Sequence, residues 1–403
     1  MHIGLCSPQW PPSGAANGIV SYVSAVRGHL VAQGHAVSVI SDGRLFGSDG
    51  LDRPLLPEPR EPSWFARAAR KTDRWHGGLP EVGRMVAAQV LAARRIAEID
   101  IVEMEESFGW CGIVQRRTGI PVVTRLHGPH VLKPPRQRTL AERFVDSRRC
   151  AAEARALRSI SSLTAPTHAT MDATRNRYGI APDPLHRIIP NPISLPPAAQ
   201  RWSLADCDRN HILMVGRFDF WKGADTMLTA FARLLALRPE ARLTVVGPDT
   251  GLETAPGRVT HFEDYVRANL PPEARARIDF TGILPPARIA VLRRQAYVTV
   301  VASRWENFPY VLLEGLGAAS PMVSTDWAGS EEIIADGTSG LLTPLGEPEP
   351  LAQRIDWLMA NPDQACRIAA EGHRRCGERF SVEAVGAELL RHYEATLERA
   401  KPQ

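Results

Sequence analysis

Short apolar runs and helical periods alternate along this chain, stop at one proline-rich segment, and then begin again. In the first half, runs that suit strands fall near 2–6, 36–41, 101–104, 121–125, 160–165 and 186–190. Helical periods lie between them, near 18–33, 83–98, 109–117, 138–157 and 168–177. Pro190-Asn-Pro-Ile-Ser-Leu-Pro-Pro197 then carries four prolines in eight residues, and each removes an N–H and fixes φ. Beyond it, strands recur near 211–216, 242–247, 278–281, 297–302, 321–325 and 340–343. Helices recur near 223–237, 287–294, 309–319, 330–335, 350–360 and 362–376. A last amphipathic stretch, Val382 to Glu398, places Val385, Leu389, Leu390, Tyr393 and Leu397 on one face. Alternation of this kind builds parallel sheets from β–α–β units, and 403 residues exceed what one core holds. The expected class is α/β, with two Rossmann-like parallel-sheet domains facing across a cleft. Their expected bounds are 1–195 and 196–380, with a C-terminal helix over 381–403 crossing back to the first domain. Residues 44–80, rich in Pro, Gly and Arg, read as an insertion loop outside the core, with a short helix around Trp64 to Arg70.

Several function classes fall away early. No apolar run approaches the roughly 18 residues that span a bilayer, and the N-terminus lacks the charged start of a signal peptide. A cytoplasmic location is expected. The six cysteines show no CxxC and no zinc-like spacing with histidine. Asp206-Cys207-Asp208 resembles a metal-binding triad but precedes its strand. Ligands in open α/β sheets gather beyond the carboxyl ends of strands, so no metal and no cofactor are expected.

Charge is uneven. Residues 1–195 hold 25 Lys and Arg against 17 Asp and Glu, and the remainder holds 23 against 27. Arg136, Arg138, Arg143, Arg148, Arg149, Arg155 and Arg158 crowd one helical period, and Arg60, Arg67, Arg70, Lys71 and Arg74 lie near Trp64, Phe65 and Trp75. One reading is a solvated helix face and a loop. The other is a surface for anionic lipid, or for an anionic acceptor, with peripheral attachment at the inner membrane. Nucleic acid is not an expected partner, since no basic module with interleaved aromatics occurs.

The candidate chemistry sits at expected strand ends. Ser303-Arg-Trp-Glu-Asn-Phe-Pro309 places Glu306 in the loop after an apolar strand, and Glu314 falls within the helix that follows, among Val311, Leu312, Leu313 and Leu316. Seven intervening residues would rise about 12 Å if all were helical, so the two acids suit the ends of an elongated polar ligand. The helix start between them suits a phosphate. Glu314 lies on a segment that reads as largely buried, where a carboxylate needs a partner. Val215-Gly-Arg217 and Lys222-Gly223 follow the first strand of the second half. Arg217 offers a planar fork and Lys222 a compact charge, in a chain with only four lysines against 44 arginines. In the first half, the loop from Ser7 to Gly18 and the turn Thr124-Arg-Leu-His127-Gly128 follow strands in the same way. A single histidine there is more often structural than catalytic. Trp327-Ala-Gly-Ser330 follows another strand and either adds backbone donors or caps a helix.

These motifs together resemble the nucleotide-sugar glycosyltransferases of GT-B fold, the retaining group one or family four set. The resemblance is strong over about residues 211–345. There Val215-Gly-Arg217, Lys222-Gly223, Phe280-Thr-Gly282, Ser303, Glu306-Asn-Phe-Pro309, Glu314, Gly329 and Glu332-Ile-Ile fall in family order. It is weaker over 1–195, where the Pro-Pro-Ser-Gly loop, Gln33-Gly34-His35, His127 and Pro190-Asn191 match. The chain departs from the family in Asn17-Gly18 for a Gly-Gly pair, Glu-Asn-Phe-Pro for Glu-Gly-Phe, and His-Gly for His-Asp.

The resemblance implies a sugar moved from a nucleotide-diphosphate donor to a sugar or lipid-linked acceptor, in polysaccharide or glycolipid assembly, without metal. It implies that Glu306 holds donor-sugar hydroxyls, that Glu314 holds the ribose, and that Arg217 and Lys222 neutralise the diphosphate. It further implies backbone contacts from Asn307 and Phe308, a sugar contact from His127, and a loop at Gly18 facing the diphosphate. A nucleotide-sugar epimerase of similar shape and a non-catalytic sugar-nucleotide binder use the same residues and stay open. A retaining glycoside hydrolase needs its carboxyl groups about 5 Å apart across a bond, which two glutamates along one element suit poorly.

Overall fold

The computed structural model describes residues 1–12, 17–50, 52–55, 78–133, 139–255 and 258–401. The chain divides into two compact units, Met1–Pro192 with Val382–Gln403, and Ile193–Ser381.

The first unit is built on β1 (His2–Cys6), β2 (Ala36–Ser41), β3 (Arg44–Phe46), β4 (Asp52–Pro54), β5 (Ile101–Glu105), β6 (Val122–Arg125), β7 (Ser162–Ala165) and β8 (His186–Ile188). They form one sheet in the order β4-β3-β2-β1-β5-β6-β7-β8. All neighbours from β2 to β8 are parallel, with Leu5 opposite Val39 on one side and Glu103 on the other. Ile3, Leu5, Val37, Val39, Ile101 and Val123 are buried, as expected where helices cover both faces of a parallel sheet. The strand order reverses between β2-β1 and β1-β5, so the switch point lies at the carboxyl ends of β1 and β5.

Residues 44–55 correct one expectation. The stretch is not wholly outside the core, because β3 pairs antiparallel with both β2 and β4 and extends the sheet. Leu45 and Leu55 are buried. Pairing with an existing edge makes strands of three residues where no period could be read. The expected helix around Trp64 to Arg70, its basic cluster, and Arg136 and Arg138 lie outside the described residues.

The helix Gly18–Ala32 begins at Asn17, whose side chain accepts from the Ile19 N–H at 2.9 Å. The helix Leu140–Ser159 begins with a capping box between Thr139 and Glu142. The last helix, Val382–Ala400, packs within the first unit. Tyr393 donates its hydroxyl to Glu103 Oε2 at 2.8 Å, and His392 and Thr396 both bond Ser162 Oγ at 2.9 Å.

The second unit carries β9 (Asp208–Val215), β10 (Arg242–Val246), β11 (Leu252–Ala255), β12 (Arg258–Thr260), β13 (Ile278–Gly282), β14 (Ala296–Val301), β15 (Met322–Thr325) and β16 (Leu341–Thr343). Six of them make a wholly parallel sheet in the order β13-β10-β9-β14-β15-β16. Its switch point falls between β9 and β14. The hairpin β11–β12 and the helices Phe262–Asn269 and Pro272–Arg275 were not expected from periodicity. The helix Phe262–Asn269 is anchored by aromatic packing, since Phe262 stacks on Phe280 at 4.3 Å and meets Phe218 edge-on at 5.4 Å, and the hairpin is held by its own antiparallel pairing. Among the described residues no helix is long and apolar enough to cross a membrane.

Candidate active site

At the switch point of the second unit, β9 runs out into Gly216-Arg217 and β14 into Ala302-Ser303. Two glycines let the backbones meet there. Gly223 has φ +63°, and a Cβ on it would lie 1.9 Å from the Ala302 carbonyl oxygen; one on Gly247 (φ +150°) would lie 2.1 Å from that of Gly216. The loop from β9 is thus pressed against the end of β14, and their charges converge. Lys222 Nζ donates to Glu306 Oε1 at 2.5 Å, and Ser303 Oγ donates to the same oxygen at 2.7 Å. The two side chains are 22% and 11% exposed, reachable by a ligand but not freely solvated.

Asp219 organises the rest of this loop. One of its oxygens accepts from Arg217 Nε and the other from the Lys222 N–H, both at 2.7 Å. Sequence reasoning passed over it, although it lies between the two cations in the same motif. Below it, Arg304 forks onto Asp225 at 2.6 and 2.8 Å and caps the Phe220 and Trp221 carbonyls at 2.8 Å. This ties the loop after β14 to the first turn of the helix Ala224–Leu234. Arg217 itself is 49% exposed, so its other guanidinium nitrogens remain available.

One residue behaves otherwise than its sequence context suggested. Glu314 is not buried: its side chain is 42% exposed, and Arg293 Nη2 donates to it at 2.6 Å. Burial falls on the arginine, at 5%, because the helix Tyr310–Gly317 packs through Leu312, Leu313 and Leu316 and leaves Glu314 at its margin. Arg293 stands 21 residues earlier on another helix, and no local pattern announced it. Phe308 is a core residue, 6% exposed, edge-on to Phe380 at 5.7 Å, so its side chain cannot reach a ligand. Asn307 is half-buried. The helix begins only at Tyr310, which leaves Glu306 wholly in the loop.

In the first unit, His127 follows β6 and Gly18 opens the first helix. The imidazole of His127 meets the Tyr22 ring edge-on at 5.0 Å. Burial, then the neighbouring Arg125 guanidinium, hold it well below its ordinary pKa, so it is neutral at pH 7. Its backbone is gripped by a residue the motifs did not reveal. Glu106, 1% exposed, accepts from the His127 N–H at 2.8 Å and the Gly128 N–H at 3.0 Å. Burial, then repulsion from Glu105 and Glu153, push this carboxyl up to about 8. Glu153 is a second hub. It accepts from the N–H groups of Phe108 and His130, from Arg149 Nε and from the Tyr178 hydroxyl, all within 3.1 Å. Below these, Arg125 is fully buried, bonds Asn191 at 2.7 Å and lies 4.7 Å over the Tyr22 ring.

Comparison with known families agrees with both units. Residues 199–375 match the glycosyl transferases group 1, and residues 16–195 match glycosyltransferase family 4. The chain belongs to the group 1 glycosyltransferases. Among its relatives are D-inositol 3-phosphate glycosyltransferases. That of Segniliparus rotundus is 28% identical over 72% of this chain and 64% of its own length. That of Frankia alni is 28% identical over 97% of each. Among solved structures, sucrose-phosphate synthase from Thermosynechococcus elongatus has a TM-score of 0.76 at 21% identity over 99% of both chains. Anabaena HepE in complex with UDP-glucose has a TM-score of 0.67 at 18% identity, over 98% of this chain and all of that one. These likenesses establish the GT-B fold for this glycosyltransferase.

Proposed function

We propose that this enzyme moves a hexose from a nucleotide diphosphate to an acceptor hydroxyl, with retention at the anomeric carbon and without a metal. The observation that carries the reading is the Lys222–Glu306 pair at the carboxyl ends of β9 and β14, with Arg217 beside it. The pair is two halves of a donor site resting on one another. When donor enters, the Glu306 carboxylate accepts hydroxyls of the sugar and the Lys222 ammonium turns to the β-phosphate. As the bond from the anomeric carbon to the phosphate oxygen breaks, negative charge grows on the diphosphate. Lys222 and Arg217 stabilise that charge in place of a metal. The acceptor oxygen bonds the anomeric carbon on the face the diphosphate leaves, and its proton passes to a phosphate oxygen. Glu314, braced by Arg293, binds the ribose, and backbone groups at Asn307 and Phe308 meet the sugar and phosphate.

HepE was solved with UDP-glucose, so UDP-hexoses are the first donors to test. The basic excess of the first half favours a phosphate-bearing or lipid-linked acceptor, in polysaccharide or glycolipid assembly at a membrane surface. A thermal-shift screen of UDP-, GDP- and ADP-sugars should show one class stabilising by about 2.7 kcal/mol at about 100 times its Kd. With an acceptor, that donor should release nucleotide diphosphate at a rate unchanged by EDTA, and NMR of the product should show the donor's anomeric configuration. Isomerised sugar from donor alone would make the protein an epimerase, and binding without turnover on any acceptor would make it a binder.

A further inference from the structure

In the first unit the helices Pro80–Ala97, Trp110–Thr118 and Leu140–Ser159 border a groove of about 420 Å³. Its apolar floor includes Phe108, Ile113 and Ala156, and five arginines line it: Arg84, Arg116, Arg117, Arg148 and Arg155. Among the described residues no carboxylate does. Arg84 is paired with Glu81. Among the described residues, Arg116, Arg117, Arg148 and Arg155 form no ion pair, although other exposed arginines of the chain pair readily. The acids of the flanking helix are held elsewhere. Glu142 caps the helix through Thr139, Asp146 bonds His130 at 2.8 Å, and Glu153 points inward to the hub beside β5. Arg148 and Arg155 stand two turns apart on one helical face. A second cavity shares Ala151 and Arg155 with the groove and adds Arg158.

Four guanidinium groups around one concavity, without a counter-charge among the described residues, repel one another across a surface of lowered dielectric. A doubly charged oxyanion relieves that repulsion, and planar guanidinium forks suit phosphate oxygens two at a time. The side chain of Ile113 offers the same ligand an apolar bed, beside the edge of the Phe108 ring, whose faces meet the Arg149 guanidinium at 3.8 Å and the Trp110 ring at 5.0 Å. We propose that this groove binds a phosphate-bearing molecule with an apolar body, gripped by Arg117, Arg148 and Arg155. The phosphate comes either from a soluble phosphate ester or from a phospholipid headgroup. The site is independent of the donor site in the second unit and stands whether or not the transfer reading holds.

Inorganic pyrophosphate, titrated calorimetrically, is the first probe, and the donor site is silenced with Arg217→Ala/Lys222→Ala so that it cannot contribute. That variant should still bind, and adding Arg148→Glu/Arg155→Glu should weaken binding by about 100-fold, since two charge-assisted hydrogen bonds are lost and two repulsions gained. The second probe is sedimentation with vesicles of phosphatidylcholine alone, or of equal parts phosphatidylcholine and phosphatidylglycerol. Capture only by the anionic vesicles, lost in Arg148→Glu/Arg155→Glu, assigns the phosphate to a lipid headgroup; pyrophosphate binding without capture assigns it to a soluble ester. Both arginines are exposed, so circular dichroism should be unchanged. If the reversal unfolds the chain, Arg148→Gln/Arg155→Gln should give the same loss in smaller measure. Absence of binding to both probes, or binding that survives these substitutions, overturns the proposal.

Discussion

In the second unit the charges of the site answer one another: Lys222 meets Glu306 and Arg293 meets Glu314 across elements, and Arg217 meets Asp219 within one loop. In the first unit, Glu106 and Glu153 are instead held chiefly by backbone N–H groups and a hydroxyl, with one arginine on Glu153. The difference is one of exchangeability. A partly exposed ion pair can release both members to a ligand that carries hydroxyls and phosphate, because each charge finds a new partner. A buried N–H that loses its carboxylate finds none, at a cost of about 1–3 kcal/mol. On the proposed reading the second unit is therefore wired for substitution by substrate, and the first for holding a loop still.

The contrast is broken most directly at Lys222. Lys222→Ala should lower kcat by about 100- to 1,000-fold, the usual effect of removing one group that meets developing charge in a closed site. The donor KM should change far less. Near-normal turnover, measured by nucleotide diphosphate release, would mean that the pair is a structural ion pair and that the second unit is no more exchangeable than the first.

Glu106→Gln tests the other half. One carboxyl oxygen becomes an NH2 that faces a backbone N–H, so the turn carrying His127 loses an anchor. We expect kcat/KM to fall by about 10- to 100-fold. Stability offers a readout that activity does not. Glu106 is raised from 4.5 to about 8 in the folded state, so its contribution favours folding at low pH and is lost as pH rises through about 8. His211 and His392 are lowered from 6.5 to about 4, so their contribution is present above 6.5 and lost as pH falls through about 4. Between pH 6.5 and 8 these histidines are silent. The wild-type melting temperature should fall across that window, and that of Glu106→Gln should fall less. Identical slopes would remove Glu106 from the account.

What the sequence made legible follows from how local each feature is. Most of the parallel strands and the helices that cover them carry their own period, and Arg217, Lys222 and Glu306 announce themselves at strand ends. The three-residue strands β3 and β4, the hairpin β11–β12 and the short helices after it carry no readable period, since each exists by pairing or packing on something distant. The same reason hid Arg293 and Glu106. An acid in Glu103-Met-Glu-Glu106 is ordinary until β5 and β6 are known to be neighbours, with Glu103 opposite Val123. Glu314 was noticed, but its burial was misjudged because apolar neighbours in a helix say which face is buried, not where the margin runs. Glu314→Ala should raise the donor KM by about tenfold with little change in kcat, the mark of an interaction made equally in ground and transition states. A loss confined to kcat would move Glu314 from nucleotide binding to the chemical step.

The smallest effect should come from the C-terminal helix, where the first unit's style of holding charge recurs without any ligand to exchange. Glu103 is 3% exposed, and burial raises its carboxyl while Arg125 opposes the shift. Tyr393, fully buried, donates to it across 290 residues of sequence. Tyr393→Phe keeps the ring and its packing and removes one hydrogen bond. The expected cost is about 1–3 kcal/mol, since a buried carboxyl group loses a donor and no water reaches it. Kinetics with a soluble acceptor should be unchanged, because the substitution touches neither the His127 turn nor the second unit. Hydrogen exchange should quicken in the helix Val382–Ala400 and in β5 and nowhere else. Faster exchange in β9 and β14 as well would show the C-terminal helix steadying both units, and the separation drawn here between a fixed unit and an exchangeable one would have to be given up.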